Sequence, residues 1–388
     1  MENVKEKKED FILLVGAGAS RDIGYPTLED LLKQAMLGDD EIDQLIRNTN
    51  SILSLRNPSM ANFEGLISQL KEYKRIASAL RTDYILSALF KSISNVLDIE
   101  KKFAEALIKC YRIMAVFYGP GGVNNNAASF TFLREFFKRL AESNTKGVSE
   151  SSNHLHVYTT NYDCSYQVMA YNFNDISFMS HISNEDGKYQ DGWFNIRKDF
   201  EPAYFPEIFI HRLHGCVTWY NTPNEEGILS TIREKMGSGE GKHKTNYSDY
   251  ELQNMCIKLV TPQPLGKHKV FSGTFDEFNK HLEEITTLII WGYSFRDFEV
   301  VSQINQALII RKENPFNIFY IDPYLNEYAV HENIINTLGV TTIRKSPDFK
   351  PQQINWYPYQ GHDKLTEMVI EKIKNSTTAT EEMEDIHE

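Results

Sequence analysis

Apolar positions along the chain follow two rhythms. Phe11–Val15 (FILLV), Thr287–Trp291 (TLIIW) and Asn317–Ile321 (NIFYI) are short runs that read as strands buried on both faces. His154–Thr160 (HLHVYTT), Pro206–Leu213 (PEIFIHRL) and Cys256–Val260 (CIKLV) also read as strands, from their β-branched and aromatic residues. Between the first two strands, from Leu28 to Leu140, the rhythm is helical. Phe63, Leu66, Ile67 and Leu70 make one stripe; Tyr84, Ile85, Leu89 and Phe90 suggest another; Phe103, Leu107, Cys110, Tyr111 and Met114 continue it. Gly119–Gly122 breaks the pattern, and Phe130–Leu140 is the last helix of the block. A block of this length is too long for a crossover helix, so about 28–145 is expected to be a helical subdomain inserted into an α/β domain.

Further on, Phe275–Glu284, Phe298 to about Arg311 and Leu365–Lys374 read as helices, and Thr341–Arg344 as an edge strand. The stretch of about 222–252 is charged, glycine-rich and poorly periodic. It reads as a surface insertion with one short helix near Leu229–Met236. From Ser376 to Glu388 the chain is polar and acidic, and disorder is expected there. The expected architecture is α/β: a Rossmann-like parallel sheet with a large helical insertion, one domain over 1–375, and no internal repeat.

Composition narrows the function. A net charge of −12 disfavours general binding to DNA or RNA, which needs a basic face. No run approaches the roughly eighteen apolar residues of a membrane span. The charged start, MENVKEKKED, is not a signal peptide, so a cytoplasmic location is expected. Cys110, Cys164, Cys216 and Cys256 form no C-x-x-C pair, which excludes a zinc ribbon or a disulfide framework by spacing. No His/Cys/Asp set is clustered along the chain either, and no metal is expected.

Candidate chemistry sits where strands end. Gly16-Ala17-Gly18-Ala19-Ser20 follows the first strand, and such a turn lets the backbone approach a phosphate closely. A dinucleotide fingerprint would place a third glycine where Arg21 stands. Thr27 and Asp30 read as an imperfect capping box for the helix that follows. Asn161 and Asp163 follow the second strand, His214-Gly215 the third, Gly292-Tyr293-Ser294 the run at 287–291, and Asp322 the run at 317–321. Each has an ordinary structural explanation as a turn, a core histidine or a helix start. Together they mark the carboxyl edge of a parallel sheet, where ligands bind.

In this order, GAGAS at 16–20, TTNYD at 159–163, HG at 214–215 and GYS at 292–294 resemble sirtuins. The chain looks like the bacterial sirtuin-like domains that act as NAD hydrolases in anti-phage defence, over about Phe11 to Pro323. The resemblance implies that Gly16, Ala17, Gly18 and Ser20 hold the NAD pyrophosphate and adjacent ribose. It implies that Asn161 binds the nicotinamide ribose, that Asp163 lies by the nicotinamide, and that His214 is the base. It gives Gly292 and Ser294 to phosphate and adenosine ribose, and Asp322 to a ribose diol where sirtuins carry Asn. It further implies gating by homo-oligomerisation or by a partner, of which a HerA-type ATPase and an Argonaute are the known kinds.

Two departures shape the expected activity. Protein-deacylating sirtuins read G-I-P-D-F-R where this chain has Gly24-Tyr25-Pro26-Thr27-Leu28-Glu29, and they carry two zinc-binding C-x-x-C pairs that are missing here. Without the zinc module the peptide groove loses one wall, so water is the expected acceptor. The expectation is an NAD glycohydrolase that uses NAD as substrate and no metal. The alternatives are a sensor that binds NAD or ADP-ribose without turnover, and an NAD-dependent protein deacylase.

Overall fold

The computed structural model describes residues 11–21, 24–82, 96–119, 127–143, 154–182, 188–196, 205–223, 229–234, 247–257, 269–295, 297–311, 316–321 and 354–357. The chain opens with strand β1 (Phe11–Val15) and a short helix, α1 (Ala17–Arg21). Helices α2 (Leu28–Ala35), α3 (Glu41–Arg56), α4 (Phe63–Thr82), α5 (Val96–Tyr118) and α6 (Ala127–Ser143) follow. Then come β2 (His154–Thr159), α7 (Ser165–Asn172), β3 (Ser177–Ile182), β4 (Tyr189–Asn195), β5 (Glu207–Arg212), β6 (Gly215–Pro223) and β7 (Leu229–Glu234). The last elements are α8 (Asp249–Gln253), β8 (Met255–Ile257), α9 (Lys269–Glu284), β9 (Thr287–Trp291), α10 (Phe298–Ile310), β10 (Asn317–Ile321) and β11 (Ile354–Tyr357).

Eight strands form the main sheet in the order β11-β10-β9-β1-β2-β5-β3-β4. Every neighbouring pair is parallel except β3 with β4. The order reverses beside β1: β2, β5 and β3 lie on one side, and β9, β10 and β11 on the other. This mixed α/β arrangement with a mostly parallel sheet is compatible with a Rossmann-like fold. A second, antiparallel sheet has the order β7-β6-β8.

Side chains alternate across the main sheet and feed two cores. Phe11, Leu13, Val15, Leu155, Val157, Ile289, Trp291 and Phe319 face the layer that contains α2, α4, α5 and α6. Phe136 of α6 meets Trp291 edge-on, with ring centroids 5.1 Å apart. The helices between β1 and β2 therefore share a continuous core with the sheet. On the other face, Ile12, Leu14, Leu288, Ile290 and Ile318 pack against Phe275, Phe278 and Leu282 of α9 and Val300, Ile304 and Leu308 of α10. β1 and β9 are buried at every position, as their unbroken apolar runs require. Thr27 and Asp30 complete a reciprocal capping box at the start of α2.

Several expectations need correction. The helix expected near Leu229–Met236 is strand β7, which pairs antiparallel with β6 and buries Ile232. Pairing with an existing edge outweighs the weak helical rhythm of those residues. The stretch 222–252 is thus partly built into a second sheet and contains α8 as well. Met255–Ile257 also belongs to that sheet rather than to the main one. β3, β4 and β6 were not expected: their Ser, His, Gln and Asn residues obscure the alternation. The main sheet closes on Ile354–Tyr357. The stripe from Tyr84 to Phe90, the expected strand at 341–344, the expected helix at 365–374, the acidic tail and Asp322 lie outside the described residues.

Candidate functional site

The four motif-bearing strands, β9, β1, β2 and β5, are consecutive neighbours in the sheet. Parallel pairing brings their carboxyl ends to one edge. There the Gly16–Ser20 turn, Asn161–Asp163, His214–Gly215 and Gly292–Ser294 meet.

The two glycine turns lock together through their backbones. Gly16 N–H donates to Trp291 O at 2.9 Å, and Gly18 N–H donates to Gly292 O at 2.9 Å. A Cβ on Gly16 would lie 2.5 Å from Gly292 O, and one on Gly18 2.8 Å from Gly292 Cα. Gly292 itself has φ +61°, and a Cβ there would lie 2.3 Å from Ala19 N. Close backbone approach thus accounts for all three glycines. The five-residue turn is mostly the helix α1, and the amides of Gly16, Gly18 and Ala19 are engaged within the protein. Ala17 is its exposed residue apart from Arg21, and Ser294 is exposed as well.

Ser20, Asn161 and Asp163 form one buried network. Asn161 Nδ2 donates to Ser20 Oγ at 2.7 Å and to Gly16 O at 3.0 Å. Ser20 Oγ donates to Asp163 Oδ2 at 2.7 Å, and Ser165 N–H donates to Asp163 Oδ1 at 2.9 Å. Arg212, buried at the end of β5, donates to Asp163 O and Gln167 Oε1. Tyr25 is buried and pairs with Tyr118, ring centroids 6.2 Å apart, and among the described residues its hydroxyl has no hydrogen-bond partner. Burial, with Asp163 nearby, pushes that hydroxyl well above its ordinary pKa, so it stays a donor.

His214 forms the second half of the site. Its Nε2 lies 2.5 Å from Asp297 Oδ2, and both side chains are buried. A carboxylate accepts, so Nε2 carries a proton, and in the neutral form of the ring the lone pair lies on Nδ1. The other Asp297 oxygen accepts Glu299 N–H at 2.9 Å and caps α10. Tyr162 leans on His214, centroids 6.1 Å apart, and its hydroxyl donates to Glu64 Oε1 of α4 at 2.6 Å. Cys164 and Cys216 lie beside the two motifs, their sulfurs 3.9 Å apart, and both are free thiols.

The structure therefore brings Ser20, Asn161 and Asp163 into direct contact, puts His214 on a neighbouring strand end, and stacks Gly292 on Gly16 and Gly18. Asp297, Tyr25, Tyr162, Glu64 and Arg212 escaped the sequence reading. Asp297 carried one usable signal, an Asp just before an apolar helix, which marks an N-cap. A groove of about 630 Å³ on the helical layer, lined by residues including Ile42, Ile108, Arg112, Val116 and Asp249, shares none of these residues. Among the described residues, no helix is long and apolar enough to cross a membrane. No protein-family model and no curated protein matches the chain.

Proposed function

We propose that the chain is an NAD glycohydrolase that splits the nicotinamide–ribose bond and releases nicotinamide and ADP-ribose. The observation that carries this reading is the convergence of four motifs at adjacent strand ends, with a buried His214–Asp297 pair among them. In this reaction the C–N bond breaks and its electron pair stays on nicotinamide, which leaves neutral. No strong acid is required. Positive charge develops on the ribose, and water adds to the anomeric carbon. His214 would take the proton lost by that water at Nδ1, and Asp297 would stabilise the imidazolium that forms.

The remaining groups would position the substrate. Asn161 is tied to Ser20 and Gly16, and Asp163 to Ser20 and Ser165, so neither side chain has to order itself on binding. Ala17 and Ser294 are exposed beside the two glycine turns and would suit the pyrophosphate and adenosine ribose. Tyr25 would offer its hydroxyl to a ligand beside Asp163. The metal-free resting chemistry of this scheme uses NAD as the substrate. Unchecked hydrolysis would drain the NAD pool, so gating by self-association or by a HerA-type ATPase partner, in anti-phage defence, belongs to the same reading.

The test is direct. Purified protein is incubated with NAD, with and without an acetylated peptide, and free nicotinamide is measured. Peptide-independent release that Asn161→Ala abolishes, with the melting temperature retained, is the expected result. Binding without release would make the chain a sensor, and strictly peptide-dependent release would make it a deacylase.

A further inference from the structure

On the α9 side of the sheet, the β2–β5–β3 half differs from the rest. His156, Tyr158, Phe209, His211 and His181 replace the aliphatic residues of β1, β9 and β10. Trp193 of β4 and Glu277 and His281 of α9 complete the cluster. Two overlapping trios have ligand atoms all within 4.8 Å of one another: His181, His211 and Glu277, and His156, His211 and His281.

In the first trio two imidazoles face one carboxylate, at 3.8 and 3.3 Å. His181 Nδ1 lies 2.8 Å from Gly192 O, and a carbonyl only accepts, so that nitrogen carries the proton. Its other nitrogen, Nε2, faces Glu277 Oε2 at 3.8 Å and in the neutral form of the ring carries the lone pair. His211 Nδ1 is 3.3 Å from the same oxygen but lacks hydrogen-bond geometry, and the ring is fully buried. The far nitrogen of His211, Nε2, is held 2.8 Å from His156 Nδ1. Both imidazoles are thus anchored at one nitrogen and aimed with the other at a shared carboxylate, which is how outer partners orient metal ligands.

We propose that His181 Nε2, His211 Nδ1 and Glu277 Oε2 bind a divalent transition-metal ion, zinc foremost, with solvent as the fourth ligand. Bonds of about 2.0–2.2 Å in a tetrahedron place ligand atoms about 3.4 Å apart, close to the 3.3 and 3.8 Å separations here. Two imidazoles and one carboxylate favour zinc and its neighbours over magnesium or calcium. The side chains of His181 and Glu277 are 15% and 31% exposed, which gives the ion a path in and a place for water. Bound there, the ion would pin α9 to β3 and β5. The trio spans 96 positions, from 181 to 277, which is why spacing along the chain gave no sign of it.

The experiment uses the full chain, stripped with a chelator and then titrated with zinc chloride by calorimetry. Cobalt(II) follows as a spectroscopic probe. The expected result is one equivalent bound with micromolar or tighter affinity, a cobalt spectrum of tetrahedral or five-coordinate N/O type, and a zinc-dependent rise in melting temperature. Glu277→Gln and His181→Gln, at the more exposed positions, should each weaken binding by at least about 10–100-fold. His154→Gln, on the same face but outside both trios, should leave it unchanged. Absence of stoichiometric binding by the wild type overturns the proposal. So does full affinity in both variants, or an affinity lost only with His281→Gln, which would move the ion to the other trio.

Discussion

His211 and His214 lie three residues apart on one stretch of chain and are almost equally hidden, at 0% and 1% exposure. Each faces one carboxylate, His211 that of Glu277 at 3.3 Å, but the rest of their surroundings differ. His214 meets one carboxylate, Asp297, which also caps a helix and is thereby fixed in place. His211 stacks on Tyr158, centroids 4.1 Å apart, and is ringed by His156, His181, His281 and Trp193. An imidazole that must accept a proton needs a nearby anion to balance the charge it gains. An imidazole among other imidazoles is poorly placed to become a cation and well placed to offer a lone pair. Burial alone would have assigned the two histidines the same role; the partners separate them.

The largest effect should come from the strand end. His214→Ala is expected to cut nicotinamide release by about 10²–10⁴-fold. NAD binding should stay within about tenfold, or roughly 1.4 kcal/mol, because the other strand-end groups hold the ground state. Calorimetry and a nicotinamide assay on the same variant decide this, and full turnover would erase the distinction between the two histidines. Asp297→Asn should have the next largest effect. Asn caps a helix about as well as Asp, so folding should hold, while kcat falls about 10–100-fold with KM little changed. Unchanged kcat would leave Asp297 as a cap only. The smallest effect belongs to the histidine cluster. Tyr158→Phe keeps the ring against His211 but removes the hydroxyl that lies 2.6 Å from His281 Nδ1. Urea denaturation should show a loss of about 0.5–1.5 kcal/mol with turnover unaffected. A large loss of turnover would mean that the cluster and the strand-end site act as one unit.

Much of the scaffold was legible because it follows from burial. A strand covered on both faces has to be apolar throughout, and β1, β9 and β10 were found at their full extents. β2 and β5 were found to within one residue at each end. β3 (SFMSHI) was hidden because one of its faces serves the histidine cluster and so carries no aliphatic stripe. β6 was hidden because it begins at Gly215, with only two residues between it and the end of β5. In the candidate site, Ser20, Asn161 and Asp163 were legible because each lies within five residues of a strand's carboxyl end. Asp297 contributes from a helix cap, and Glu64 reaches in from α4 through Tyr162, a contact that no local pattern encodes.

The interlocked glycines bear on how the first turn could be reused. Residues 16–20 look like a self-contained cassette, suitable for transplanting onto another strand. Their shape, however, is moulded against the carbonyl of Trp291 and the backbone of Gly292, far away in the chain. A graft would carry the glycines and leave the mould behind. The transferable unit is the pair of turns, with β1 and β9 held side by side beneath them.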